Sequence, residues 1–280
     1  YKDSRLTATA SLLGTYITDK VEQGDTPADK KRLSPAVSLS WRPFAESTFR
    51  VRASYKDIIR VPTFTDLYYL RMGNTNLTPE KATQFDLGLT WSASCGEWLR
   101  HLDITVDGYY NWVKDKIVAM PTMYIWRMMN MGEVDIKGAD VNLSAEFPLP
   151  YRMGLVLSGT YSYQYAVDIT DPDAKNYKDQ IPYTPRHSGT ATVAWENPWV
   201  NVSYILTAVG DRYALPQNID ANRIDSYVEQ SLSLNREFRF RGFGLRLQGE
   251  ILNLADVNYD VIQYYPMPGR SWRLSICLSY

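Results

Sequence analysis

The sequence predicts an all-β protein, an antiparallel transmembrane β-barrel with about twelve strands. Three observations support this prediction: strands with one apolar and one polar face, short and long connections that alternate, and frequent aromatic residues. The alternation is clearest in residues 47–56, where the apolar positions are Phe49, Val51, Ala53 and Tyr55. The positions between them hold Arg50, Arg52, Ser54 and Lys56. Because successive side chains of a strand point to opposite faces, this strand has an apolar face and a cationic face.

The composition fits a barrel and excludes two other classes of protein. Among the 280 residues Tyr occurs 21 times and Trp eight times, and such side chains collect at membrane–water boundaries. The mean hydropathy of −0.33 and the lack of an apolar run of about 18 residues exclude membrane-spanning helices. A net charge of −1 creates no bulk field that would recruit nucleic acid. The first residues lack the pattern of a secretory leader, so we expect a mature or truncated chain.

Twelve segments carry Leu, Val, Ile, Ala or aromatic residues at every second position. In chain order they are 6–12, 37–41, 49–55, 85–91, 102–110, 139–147, 153–161, 189–195, 200–208, 228–234, 243–251 and 272–280, the last ending at Tyr280. The tenth is the weakest, because only Val228, Leu232 and Leu234 keep the period. With their flanking residues, these segments have the length of roughly 9–11 residues that a tilted membrane strand needs. Charged residues on the opposite faces, such as Asp103 and Asp140, need water, which a dry sandwich core does not supply.

The connections between these segments alternate in length. The short ones are 43–46, 92–99, 148–151, 197–198 and 240–242, and the long ones are 18–33, 57–79, 115–131, 166–183, 209–223 and 253–270. Short turns at one end and long loops at the other are typical of bacterial outer-membrane barrels, with the turns in the periplasm. The alternative is a soluble all-β protein with long hairpins, which explains neither the two-sided polarity nor the alternation.

Two motifs carry a resemblance to a known family. The first comprises Arg60, Pro62, Phe64, Asp66, Leu67 and Tyr68, followed by Asn76, Leu77, Pro79 and Glu80. The second comprises Asn253, Leu254, Ala255, Asp256 and Tyr259, followed by Pro268, Gly269 and Arg270. Both resemble the TonB-dependent outer-membrane receptors, which usually have an aromatic residue in the place of Ala255 and Phe in the place of Tyr280. Proline and Asx residues also end strands and make turns, so we expect a structural role for most of these positions.

The resemblance implies that residues 1–280 are the C-terminal portion of one outer-membrane barrel domain of about 22 strands. It implies a location in the outer membrane of a Gram-negative bacterium and active uptake of a chelated metal or cofactor. The implied partners are the lipid bilayer, the N-terminal barrel and plug portion, the TonB complex acting through that plug, and an extracellular small-molecule chelate. A surface lipoprotein is a further candidate partner, and no nucleic acid is expected.

Aromatic clusters in the long loops are the candidate ligand site, because such sites combine apolar faces with a few fixed polar groups. The candidates are Tyr68, Tyr69, Arg71 and Asn74 in one loop, Tyr124, Trp126, Arg127 and Met128 in a second, and Tyr264 and Tyr265 in a third. The alternative is that they pack loop against loop or form an aromatic girdle. In the lumen, Arg50, Arg52 and Lys56 are candidates for contact with the plug or the solute. The alternative for them is ion pairing with carboxylates such as Asp86.

The histidines bear on the ligand class. Neither His101 nor His187 lies in a predicted long loop, which weakens a haem receptor and leaves siderophore and corrinoid uptake open. We expect no resident cofactor, no metal site and no catalytic residue.

Two other functions remain as alternatives. The first is a passive porin or adhesin-type barrel. The second is an outer-membrane hydrolase, for which Ser188 and His187 are poorly suited, because neighbours on a strand face opposite ways.

Overall fold

The computed structural model describes residues 5–20, 22, 29–121 and 123–279, and within these ranges its main feature is one antiparallel sheet of 12 strands. The sheet contains β1 (Leu6–Ile17), β2 (Lys30–Trp41), β3 (Arg50–Arg60), β4 (Glu80–Cys95), β5 (Leu99–Pro121), β6 (Trp126–Leu149), β7 (Met153–Asp168), β8 (His187–Glu196), β9 (Asn201–Val209), β12 (Tyr227–Phe240), β13 (Phe243–Leu252) and β16 (Ser271–Ser279). The long loops hold helix α1 (Phe64–Tyr68) and two small hairpins, β10 (Arg212–Tyr213) with β11 (Arg223–Ile224) and β14 (Asp260–Ile262) with β15 (Tyr265–Pro266). The twelve predicted strands are confirmed.

One face of the sheet is a continuous apolar surface. Register aligns Leu39, Ala53, Leu87, Gly108, Ala139 and Tyr163 across six consecutive strands. The side chains on this face are open to the surroundings, and Leu87 is 58% exposed. A sandwich would bury such residues between two sheets, so the soluble alternative is wrong and hydrocarbon is the solvent of this face.

Two small clusters of buried apolar residues lie at the loop end of the sheet. One contains Val113, Val134, Ile136, Ala166 and Ile181. The other contains Leu67, Leu77 and Ile117. Their position shows that the tightly packed apolar core supports the long loops, because the side chains along the membrane-spanning strands face lipid or lumen.

The opposite face is polar and contains a salt bridge that differs from the predicted one. Arg52 Nη2 donates to Asp107 Oδ1 at 2.8 Å, whereas Asp86 accepts from Ser54 Oγ at 2.8 Å. The salt bridge between Arg52 and Asp107 crosses over β4 at Gly88, where a Cβ would lie 2.1 Å from Asp107 Oδ1. Arg52 is therefore ion-paired with a carboxylate, as the alternative for the lumen cations expected, but the partner is Asp107 and not Asp86, because glycine lets Arg52 reach the next strand but one.

The predicted long connection 115–131 is also wrong. β5 continues to Pro121 and β6 begins at Trp126, so these residues extend a projecting hairpin. Pairs such as Ile117 with Asn130 continue the ladder. The apolar period is lost here because both faces of the hairpin meet water or other loops above the membrane.

The sheet has two open edges. Among the described residues, no ladder pairs β1 with β16. Side chains at these edges are strongly exposed, including Leu12 at 67%, Trp272 at 74% and Leu274 at 75%. Tyr280, the predicted end of the last strand, lies outside the described residues. None of the helices in the described part of the chain is long and apolar enough to span a bilayer.

A charge placed on the apolar face tests which solvent covers it. Leu143 lies on that face opposite Ile104 and Gly159, and its neighbour Asn142 faces the lumen opposite Thr105 and Thr160. We expect Leu143→Arg to lower the free energy of unfolding in liposomes by about 2–4 kcal/mol, the range for Arg near the bilayer midplane. The control Asn142→Arg is expected to change it by less than about 1 kcal/mol. Equal losses in denaturant titrations of the two full-length variants would contradict the assignment of the two faces.

Candidate functional site

The first two predicted aromatic clusters come together at the loop end of the sheet. The backbone N–H of Met128 donates to the carbonyl of Met72 at 2.9 Å, and Asn74 Nδ2 donates to the Met128 carbonyl at 3.1 Å. Below them, the Thr78 N–H donates to Asn130 Oδ1 at 2.9 Å. The loop after β3 and the β5–β6 hairpin therefore form one hydrogen-bonded unit.

A polar node built from the first motif positions helix α1. Asp66 caps the helix reciprocally with Thr63, since each side chain accepts from the other residue's N–H, at 2.9 and 3.1 Å. Arg60 donates to Asp66 and to Glu80, at 3.3 Å in each case. Glu80 also accepts from the backbone N–H of Ile117 at 3.1 Å. The motif thus joins β3, α1, β4 and β5, as the expectation of a structural role for its residues requires.

The candidate ligand residues of this unit divide into exposed and packed ones. Tyr68, Tyr69 and Tyr124 are 39%, 57% and 87% exposed, and Arg71 and Arg127 are exposed as well. By contrast, Met128 packs against the buried cluster of Leu67, Leu77 and Ile117, and Asn74 is bonded within the loop. The exposed members are available for a ligand, and the packed members hold the surface on which they stand.

The third cluster lies in the β14–β15 hairpin. Tyr264 and Tyr265 are 82% and 69% exposed. Tyr264 lines a cavity of about 310 Å³ together with Arg223, Asp225 and Asp260. Charged and aromatic groups therefore converge on this cavity between the two small hairpins.

Tyr259, which belongs to the second motif, forms part of the wall of the same cavity. Its ring stacks on Tyr227 with 4.1 Å between centroids, and its hydroxyl donates to Glu229 Oε2 at 3.3 Å. Burial, reinforced by the Glu229 carboxylate, raises the pKa of Tyr259 to about 12. The hydroxyl therefore stays a neutral donor at every physiological pH, and this wall of the cavity is fixed.

Residues that the sequence did not single out connect the three clusters. The rings of Trp126 and Tyr183 approach to 6.3 Å, and the Tyr183 N–H donates to the Tyr213 carbonyl at 2.8 Å. Arg212, 3% exposed, donates to the carbonyl of Val261 at 3.3 Å and to that of Asp260. The three loops thus form a continuous rim. The available sequence signals were Tyr183 and the Arg-Tyr pair at 212–213.

The second motif holds the closing hairpin together. Asn253 adopts φ 50° and is 3% exposed. Its Nδ2 donates to the carbonyls of Val257, at 2.8 Å, and Pro268, at 3.3 Å. Asp256 Oδ1 accepts from the Arg270 N–H at 2.7 Å. These bonds are local turn contacts, which confirms the structural role expected for both residues.

The lumen candidates line a groove of about 650 Å³ on the polar face. Arg52 is neutralised by Asp107, whereas Arg50 and Lys56 form no ion pair with a described residue. Two cations of the groove are therefore available to an anionic surface or solute.

His187 is not placed to act on its sequence neighbour Ser188. His187 faces outward beside Tyr163, and its Nδ1 lies 2.8 Å from the Tyr161 hydroxyl, whereas Ser188 pairs with Ser162 on the lumen side. Within the described ranges, no group of three His, Cys, Asp or Glu residues is placed to hold a metal ion.

Residues 1–254 match the family model described as TonB dependent receptor-like, beta-barrel. The chain belongs to the TonB-dependent receptor family. A sequence relative is the vitamin B12 transporter BtuB of Vibrio vulnificus, 23% identical over 220 residues, which cover 76% of this chain and 32% of the relative. The same transporter of Vibrio cholerae is 27% identical over 234 residues, which cover 81% and 34% of the two chains.

Solved structures of other receptors show the same fold. BauA, the ferric preacinetobactin receptor of Acinetobacter baumannii, gives a TM-score of 0.73 at 15% identity and covers 97% of this chain and 40% of its own. The ferric citrate transporter FecA gives 0.74 at 14% identity, covering 96% and 42%. The chain spans about a third of the length of the curated relatives it matches. As a member of this family, the receptor lies in the outer membrane of a Gram-negative bacterium.

The polar node around Asp66 makes a testable prediction about loop order. Asp66→Ala removes the acceptor of the Thr63 N–H and a partner of Arg60, which costs about 1–3 kcal/mol of local stability. We expect faster protease cleavage within residues 61–79 on intact cells. The control Asp225→Ala removes an exposed carboxylate whose ion pair with Arg223 measures 3.4 Å, and cleavage should not change. An Asp66→Ala receptor that is cut no faster than this control would refute the role of the node.

Proposed function

We propose that the chain is the C-terminal part of the barrel of an active outer-membrane transport receptor. The receptor takes up a chelated metal or cofactor, either a siderophore–iron complex or a corrinoid, and the TonB system supplies the energy through a plug domain. No bond of the solute is made or broken. The observation that carries the proposal is the continuous aromatic rim, which stands at the loop end of a family barrel wall.

The open edges support the assignment of the chain as one part of a larger barrel. Strand edges in hydrocarbon leave N–H and C=O groups without partners, so a native barrel closes its sheet. The exposed side chains of β1 and β16 mark the seams at which the N-terminal barrel strands join. The coverage of about a third of the curated relatives agrees with this assignment.

The side chains of the rim favour a ligand that is large, flat and amphipathic. Exposed rings at Tyr68, Tyr69, Tyr124, Tyr264 and Tyr265 offer apolar faces with hydroxyl groups. Arg71 and Arg127 add positive charge beside them. Rings with a few fixed polar groups suit an anionic or hydroxyl-rich chelate, because they cover its faces while the cations orient it.

The lumen groove supports a second contact along the same path. Arg50 and Lys56 lie below the rim without a carboxylate partner among the described residues. We assign them to an acidic surface of the plug, or to the solute as it passes the plug. The ligand class follows the named relatives, which are a vitamin B12 transporter and a ferric preacinetobactin receptor.

Transport by the full-length receptor tests the proposal directly. We expect a deletion strain to regain uptake of labelled cyanocobalamin or of a ferric siderophore when the receptor is supplied. This uptake should stop when TonB is removed. Uptake that persists without TonB would identify a passive porin, and failure to take up either class would refute both proposed ligands.

A matched pair of tyrosines tests the rim. Tyr264 and Tyr151 are 82% and 84% exposed and both have positive φ, 65° and 61°, but Tyr151 lies in a short turn at the opposite end. We expect Tyr264→Ala to weaken binding of the transported chelate about five- to tenfold, because an aromatic contact is lost. Tyr151→Ala should bind like the wild type. Equal affinities of all three proteins in titrations would exclude Tyr264 from the site.

Isolation of residues 1–280 tests the proposed division of the barrel. Two unpaired edges make the separate chain prone to edge-to-edge association. We therefore expect size-exclusion chromatography in detergent to give oligomers or aggregates. A monodisperse monomer would show that this chain closes by itself.

A further inference from the structure

Two cations share one aromatic ring on the outer face of the sheet. Lys137 Nζ lies 5.1 Å from the centroid of the Tyr165 ring, and the Arg186 guanidinium lies 5.3 Å from the same centroid. Lys137 and Tyr165 are directly paired across β6 and β7. Lys137 and Tyr165 belong to the apolar face, because they lie two residues from Ala139 and Tyr163, which register places on it. Positive charge is therefore concentrated at the boundary where the membrane face reaches the loops.

This charge is only partly neutralised. The carboxylate that faces Lys137 belongs to Asp135, whose Oδ2 lies 3.8 Å from Nζ, and the lysine side chain is 56% exposed. Arg186 is exposed and has no ion pair with a described residue. Cation–π contact holds both groups beside the ring without cancelling their charge. The cluster keeps an attraction for an anion that approaches from the membrane.

An apolar groove lies next to this cluster. It has a volume of about 420 Å³, and its outward-facing lining includes Tyr161, Gly189, Leu206, Ala208 and Val228. Tyr161, Gly189, Ala208 and Val228 form one register row across four strands. The small residues make the floor and the larger side chains make the walls. An alkyl chain fits such a groove, because it covers apolar surface without requiring a hydrogen bond.

The groove and the cation cluster are continuous. His187 lines the groove and is adjacent in sequence to Arg186, and its ring lies 5.2 Å from that of Tyr163. Tyr163 in turn lies two residues from Tyr165 on the same face. A molecule with an anionic head and an alkyl chain therefore meets its two partners in the right order, with the head toward the loops.

We propose that Lys137, Arg186 and the adjoining groove form a binding site for a phosphorylated glycolipid of the outer leaflet, lipid A. The phosphate lies between the two cations, and one acyl chain occupies the groove. The face is covered by the outer membrane, and the anionic lipid of its outer leaflet combines a phosphate with acyl chains. Basic clusters at a membrane boundary recognise lipid head groups in this way. The inference is independent of the transported solute.

Binding of lipid A to the delipidated full-length receptor tests the site. The probes are lipid A carrying its phosphates and dephosphorylated lipid A, measured by native mass spectrometry in detergent. We expect the wild type to prefer the phosphorylated form. Lys137→Ala with Arg186→Ala should lower its affinity about five- to thirtyfold, the effect of one to two cations near an anionic lipid.

Lys114→Ala is the matched control. Lys114 also lies over an outer aromatic ring, 4.1 Å from the Trp112 centroid, but it is paired with Glu133 at 3.1 Å and shares its ring with no second described cation. We expect it to bind lipid A like the wild type. Equal losses for the control and the double variant would reduce the effect to general surface charge and overturn the site.

Ala208→Phe tests the groove separately from the charges. Gly189 is unsuitable, because a Cβ there would lie 2.7 Å from the Thr160 carbonyl oxygen. We expect Ala208→Phe to reduce affinity severalfold while the preference for phosphate remains. Unchanged affinity would remove the groove from the site. Equal binding of the two lipids by the wild type would overturn the phosphate contact even if a variant fails to fold.

Discussion

The requirement that every backbone polar group in hydrocarbon be paired within the protein controls this structure. Hydrocarbon offers no hydrogen-bond partner, so the N–H and C=O groups of the membrane-spanning backbone must enter ladders with neighbouring strands. This explains why chain order and sheet order coincide and why the connections are hairpins. It also explains the period of two, since the ladder leaves one face for lipid and one for the lumen. Among the described strands of the 12-stranded sheet, only β1 and β16 have an edge whose backbone groups this requirement leaves without a ladder partner.

Loop order has a different physical basis from barrel order. Above the membrane there is water, and the loops have only small apolar clusters, such as that of Leu67, Leu77 and Ile117. Polar nodes supply the missing constraint. Asp66 fixes the start of α1, and Asn253 fixes the turn after β13, and both side chains are almost completely buried. The family motifs therefore describe how the rim is held in place, while rings such as Tyr124 and Tyr264 stay exposed above it.

The strands could be predicted from the sequence because lipid on one face requires an apolar residue at every second position, and this period is visible in each segment by itself. Val51, Ala53 and Leu87 had to lie on one face whatever their partners were. The sequence could not predict features that contact with lipid does not determine. The hairpin at 115–131 meets water or other loops on both faces and no lipid, so its ladder leaves no apolar period. The partner of Arg52 depends on register and on the absent side chain at Gly88. Contacts such as Trp126 with Tyr183 join distant loops, and no local spacing encodes them.

Arginine and lysine show how one chemical problem is solved differently in three surroundings. In the wet lumen, Arg52 takes a carboxylate on another strand, and water screens whatever charge remains. In the rim, Arg212 is almost completely buried and donates to backbone carbonyls, with its guanidinium 5.5 Å from the Tyr227 ring. At the membrane boundary, Lys137 and Arg186 rest on the ring of Tyr165, and the carboxylate of Asp135 lies 3.8 Å from Lys137 Nζ. These two cations differ from Arg52 and Arg212 because their charge is only partly balanced within the described protein. An external anion at the boundary with the outer leaflet is the partner that we propose for them.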